Sequence, residues 1–273
     1  MNELLTSLFL ILFCGFLNAQ ELQPLKLVEK VFTDKKFVQK TSKFSTGEYK
    51  GHPNVNDLGE NTNLKFRLLN QSENSAVVNI TIVDNLGNGI DTYAHLKKDK
   101  KWKIGAFRAL AMTGILYQIK TEFEKMTEQQ IDSLIKTDTE NFKSRKDFDI
   151  EFENIKLTLD LDDTIIEHFK KNERKFEQLR TELLNIEINE DEQTYRKIDL
   201  GEKINFDYKE LLLSSISTSN YCDNCFEFVI GGMIDNTVGY LFIPNGQSIP
   251  KMSPNRLILL REIGNGWYIF KTT

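Results

Sequence analysis

Apolar and polar positions change period several times along this chain, and the changes divide it. Leu25, Val28, Val31 and Phe32 fall near helical spacing and predict a short amphipathic helix. Thr41 to Asn63 is polar, carries Gly47, Gly51, Pro53 and Gly59, and reads as loop. From Leu64 the period becomes two: Leu64, Phe66 and Leu68 alternate with Lys65 and Arg67. Ala76 to Val83 (AVVNITIV), Ile90 to Leu96 and Trp102 to Leu110 continue as strands, separated by Asp84–Gly89 and by KKDKK. Connections this short predict an antiparallel meander.

Helical spacing then returns. Ile115, Leu116, Ile119, Phe123 and Met126 mark one amphipathic helix. Thr127-Glu128-Gln129-Gln130 has the form of a capping box opening a short second one. Lys136 to Asp149 is charged and poor in apolar residues, and is the expected boundary between two halves. Leu157 to Leu161 alternates briefly. A long helix follows to about Asn185, capped by Asp160 or Asp162, with Ile165, Phe169, Phe176, Leu179 and Leu183 on its apolar face. Tyr208 to Ser217 reads as a strand. Phe226 to Ile234 and Thr237 to Ile243 form a hairpin around Asp235-Asn236, and Arg256 to Lys271 forms another around Gly264-Asn265.

Composition narrows the setting. The 273 residues carry a formal net charge of -5 and 27% charged residues, so no basic surface for nucleic acid is expected. Leu8 to Phe16 (LFLILFCGF) followed by Leu17-Asn18-Ala19 has the h-region and small residue of a signal peptide cleaved after Ala19. The run is too short to span a bilayer comfortably, and no later stretch is long enough. Phe13 before Cys14 is too bulky for a lipobox, so the expected product is an exported periplasmic or secreted protein rather than a lipoprotein. The Lys-, Asn- and Ile-rich composition and the closing IGNGWYIFKTT resemble exported Bacteroidetes proteins, a likeness that carries no function with it.

The strands ending in a lysine-rich turn and Trp102-Lys103-Ile104 resemble the NTF2-like cone fold over residues 25–125. The expectation is therefore an α+β protein. A signal peptide (1–19) precedes an NTF2-like curved antiparallel sheet with helices (20–135). A charged connector (136–156) then leads to a long helix packed on a second antiparallel sheet (157–273). The resemblance implies a pocket in the first half but no particular activity, because that fold hosts both enzymes and binding modules.

Two groups of residues could carry chemistry. Cys222-Asp223-Asn224-Cys225 could form a local disulfide, half a zinc site or a redox pair. Zinc needs about four ligands, and only His52, His95 and His168 stand elsewhere, scattered. Thiol activation is favoured at a helix N-terminus, whereas apolar strand patterns flank this pair, so a structural disulfide is expected. Asp91, Tyr93 and His95 share one face of a strand. They either line a pocket, where Asp91 and His95 could act as an acid–base pair, or form a solvated face while Thr92, Ala94 and Leu96 pack inward. Gly231-Gly232 lacks the GxxxxGK[ST] pattern of a phosphate loop and reads as a bulge or a close strand contact. Trp102, Trp267 and Tyr268 read as core rather than as a stacking surface. No metal site or cofactor is expected. The leading expectation is a non-enzymatic binding or interaction module of the envelope, taking a small apolar ligand or an envelope protein. The alternative is a small-molecule enzyme using Asp91 and His95, and a third is a thiol protein.

Overall fold

A computed structural model describes residues 21–186, 198–204 and 207–273. The expected signal segment lies outside them, as does most of the acidic stretch before Asn205. The protein is α+β, and the described residues form six helices and two antiparallel sheets of four and five strands. The first sheet is the meander β1 (Asn63–Gln71), β2 (Ser75–Val83), β3 (Gly89–Lys98) and β4 (Trp102–Ala109). One face packs on α1 (Pro24–Thr33), whose Leu27, Val28, Val31 and Phe32 meet Val78, Ile80, Ala94, Leu96, Trp102 and Ile104. A four-residue helix, α2 (Lys35–Val38), follows α1 and is capped by the Asp34 carboxylate.

Three helices follow the sheet: α3 (Thr113–Lys125), α4 (Glu128–Thr137) and α5 (Arg145–Thr158). The Thr127–Gln130 capping box opens α4 as the sequence predicts. The stretch expected to be a charged connector is largely helical. Its charges lie on the outer side of α5, while Phe148, Asn154 and Ile155 are buried. The alternation from Leu157 to Leu161 is likewise the end of α5 and a turn rather than a strand. It is too short to distinguish the two by period alone.

The long helix α6 (Asp162–Leu184) buries Ile165, Phe169, Phe176, Leu179 and Leu183, as their spacing predicts, together with Ile166. The second sheet runs β5 (Ser215–Thr218), β6 (Phe226–Met233), β7 (Asn236–Phe242), β9 (Trp267–Thr272), β8 (Leu257–Gly264). Phe169 and Phe176 stack among Phe228, Tyr240 and Trp267, with ring centroids 4.8–6.5 Å apart. The polar ends of two of these rings are satisfied on α6. The Tyr240 hydroxyl donates to the Ile165 carbonyl (2.8 Å), and Trp267 Nε1 donates to Glu177 (2.7 Å). Trp102, Trp267 and Tyr268 are all buried core residues.

Of Tyr208 to Ser217, expected as strand, only the last three residues belong to one, β5; Tyr208–Leu211 is a 3-10 turn. Both hairpin turns are displaced by one residue from the expected positions. The β6–β7 turn is Ile234-Asp235, and the β8–β9 turn is Asn265-Gly266. Asn265 and Gly266 both adopt positive φ, which Asn-Gly tolerates best, so that pair takes the turn in place of Gly264-Asn265. Gly231 and Gly232 mark a bulge, with a register shift between Val229 and Gly231. Asn154 on α5 donates to the Ile230 carbonyl at the bulge (2.6 Å) and to the Leu212 carbonyl (2.7 Å). A Cβ on Gly231 would lie 2.3 Å from Thr158 Oγ1, so this glycine lets α5 reach the strand.

Candidate functional site

The register of the first sheet sets its inner face in rows. Lys65, Thr81 and Asp91 form one cross-strand row, and Arg67, Asn79 and Tyr93 form the next. Over these rows lies the first turn of α6, Leu161 to Asp163. Asp91, Tyr93 and His95 are all buried, and so are Thr92, Ala94 and Leu96. Neither face of β3 is solvated. The second half of the chain covers the face that alternation alone leaves undecided, and Tyr93 and Val77 share one core with α6 and the second sheet.

Each carboxylate here has fixed donors. Leu161, the residue preceding α6, offers no side-chain cap. Asp91 supplies one from across the sheet: its Oδ2 accepts the Asp162 backbone N–H at 2.7 Å. Its Oδ1 accepts from Asn79 (2.9 Å) and Thr81 (2.5 Å). The cap expected from Asp160 or Asp162 is therefore replaced by a residue about 70 positions earlier, which local sequence cannot reveal.

Asp162 itself points into the core. It is 2% exposed and pairs at 2.8 Å with Lys271 Nζ, 4% exposed, while the Tyr93 hydroxyl donates to both its oxygens at 2.8 and 2.9 Å. Burial holds the Asp162 carboxyl above the usual range, and the Lys271 charge opposes that shift. Burial, reinforced by the charges of Asp162 and Asp91, raises the Tyr93 phenol well above 10, which keeps it protonated as a donor.

Asp163 is half-exposed and meets three cations. Arg67 binds it in two-point fashion (2.9 and 3.3 Å), and Lys65 and Arg261 each approach to 2.7 Å. The Arg67 hydrogen bond is the main reason its carboxyl lies well below the usual carboxylate range. Lys65, Arg67 and the three carboxylates line a cleft of about 270 Å³, with Asn63, Leu64, Val83 and Leu161 contributing to its walls and Arg261 outside its lining. This volume sits just below the usual ligand-pocket range of about 300–1,000 Å³.

His95 lies elsewhere. Four residues along the strand from Asp91, it is about 13 Å away at ~3.3 Å per residue. It does not line the cleft. Its Nε2 is buried without a hydrogen-bond partner. Burial and then the nearby Arg108 charge push its pKa down to about 4, against a contact with the Ile258 backbone, so the ring is neutral at pH 7. The structure thus brings Asp91 and Tyr93 together at Asp162 and leaves His95 apart from Asp91.

Sequence reasoning singled out neither Lys271 nor the Asp162–Asp163 pair as site residues. Lys271 had a readable signal, because it follows Trp267 and Ile269 at period two and so occupies an inward position of β9. In the sequence Asp162 reads only as a candidate cap of the long helix.

Cys222 and Cys225 are at disulfide distance, with Cα atoms 5.5 Å apart, in the connection from β5 to β6. Cys225 joins a small core on the far side of the second sheet with Leu241, Leu257, Leu260 and Phe270. Among the described residues, no group of three or more His, Cys, Asp or Glu could hold a metal ion. No helix among them is long and apolar enough to cross a membrane. No protein-family model matches this chain, and no curated protein or solved structure matches it.

Proposed function

We propose that this is an exported, non-enzymatic binding module, and that the cleft between the first sheet and the start of α6 takes a small ligand. The observation that carries this reading is the commitment of the three carboxylates beside the cleft. Asp91 caps α6, Asp162 neutralises Lys271, and Asp163 holds three cations. A general base must present an acceptor to its substrate; moving Asp91 would free a helix end, moving Asp162 would leave a buried charge unpaired, and moving Asp163 would break three ion pairs. His95, the other half of the expected acid–base pair, has no access to the cleft. What the site offers is a small hollow of fixed shape and fixed charge, which suits recognition. An NTF2-like origin for the first half is compatible with this reading, since that fold also hosts plain binding modules.

Native mass spectrometry of protein purified from its own envelope tests the proposal. The expected result is a co-purifying small molecule that is lost from Val83→Trp, which fills the cleft wall without touching the charged groups. Identical spectra for the two proteins would count against the cleft as a binding site. Turnover of a candidate substrate abolished by Asp91→Asn in a folded protein would replace the binding reading with the enzymatic one.

A further inference from the structure

We infer that the cleft recognises a small organic anion, with its carboxylate or phosphate group held by Lys65 and Arg67 of the lining, its charge supported by Arg261 behind Asp163, and its apolar body along Leu64, Val83 and Leu161. The inference rests on the binding reading above and names its ligand class. Three basic side chains from two sheets, Lys65 and Arg67 of β1 and Arg261 of β8, converge on one carboxylate, Asp163. Locally the cations exceed the carboxylate by two charges. The deeper groups, Asp91, Asp162 and Lys271, reduce this excess to one positive charge. Asp162 is matched by Lys271, whereas Asp91 accepts only from the N-terminus of α6 and two neutral donors and keeps its charge.

The cations also retain donors. Lys65 uses one of its three N–H groups on Asp163, Arg67 two of its five, and Arg261 one of its five. Lys65 is the most accessible, with 58% of its side chain exposed, and Arg67 is 29% exposed. A planar guanidinium suits carboxylate and phosphate oxygens, and it binds them more strongly than neutral acceptors. The uncharged walls, Leu64, Val83 and Leu161, give the remainder of such a ligand an apolar surface. A cationic ligand would instead approach the excess positive charge.

The test is isothermal titration of the full-length exported protein with four probes of one chain length: hexanoate, hexyl phosphate, hexylammonium and hexanol, all at one ionic strength. The expected result is binding of hexanoate or hexyl phosphate roughly tenfold tighter than hexanol, with hexylammonium weakest. Which of the two anions binds tighter separates a carboxylate ligand from a phosphate one. Lys65→Gln, at an exposed position, should weaken the anions roughly tenfold and leave hexanol unchanged. Val83→Trp should abolish binding of every probe. Hexanol or hexylammonium binding as tightly as the anions, yet lost in Val83→Trp, would overturn the anion inference and keep the cleft as a binding site. Anion affinity unaltered by Lys65→Gln would also overturn it. Absence of binding by all four probes would count against both readings.

Discussion

The two faces of the first sheet are made from the same four strands and are held in opposite ways. The outer face meets α1 through Val78, Ile80, Ala94 and Leu96, an apolar contact of the ordinary kind. The inner face carries Arg67, Asn79, Thr81, Asp91 and Tyr93 and meets the start of α6 through hydrogen bonds and ion pairs. Apolar burial is non-directional and tolerates local adjustment. Buried charge requires a particular partner at a particular distance. The outer face therefore contributes stability. The inner face sets where α6 begins relative to the sheet, and with that the shape of the cleft.

Removing one member of the buried ion pair should separate the faces most clearly. Asp162→Ala leaves Lys271 buried and unpaired and is expected to cost about 3–5 kcal/mol by urea unfolding. On the outer face, Ile80→Ala should cost a comparable ~2–5 kcal/mol through cavity formation. The distinction lies in rescue. Adding Lys271→Met should recover much of the Asp162→Ala loss, and it should recover none of the Ile80→Ala loss.

Of the two faces, acid should act on the inner one. His95 is neutral in the folded protein to about pH 4, whereas its ordinary pKa is 6.5. Between those values the unfolded chain binds the extra proton, so stability falls as pH drops from 6.5 towards 4. The loss is roughly 3 kcal/mol at most. Asp163 adds a second loss at lower pH, because its stabilising ionised form disappears only as pH falls through its depressed pKa. Thermal unfolding across pH 4–7 should show the first slope in the wild type and in Ile80→Ala. His95→Leu should reduce it, leaving the part that comes from His168, whose pKa burial also lowers; an unchanged slope in that variant would assign the titration elsewhere.

Smaller effects sharpen the comparison. Asp91→Ala deprives α6 of its cap and leaves Asn79 and Thr81 without their acceptor, at an expected cost of about 1–3 kcal/mol. Asp91→Asn keeps an acceptor oxygen and should cost less. Lys65→Ala removes one of three cations from a half-exposed carboxylate and should cost about 0–1 kcal/mol, shrinking further in high salt. Both readings come from chemical denaturation with salt as the second variable.

Much of the outer face was legible in the sequence because its signals are local. Period-two alternation located the four strands, and Leu25, Val28, Val31 and Phe32 located the helix that covers them. The α6 stripe was legible for the same reason. The inner face was legible only as a row of polar residues, Asp91, Tyr93 and His95. What covers Asp91 and Tyr93 is contributed by Asp162 and Lys271, and a period of two cannot report a partner 70 to 180 residues away. The same limit hid the start of α6, whose cap is supplied by another element. At Ile234-Asp235 the obstacle was different. A β-branched residue sits at φ +54 there, against its own preference, because strand register placed the turn.

The central claim is that the polar inner face is a committed joint rather than a set of free acids and bases, and a double-mutant cycle on Asp162 and Lys271 tests it most directly. Urea unfolding of Asp162→Asn, Lys271→Met and the double variant should give a coupling energy of about 2 kcal/mol or more. Additive effects, within about 0.5 kcal/mol, would show two carboxylate and ammonium groups acting independently and would contradict the account.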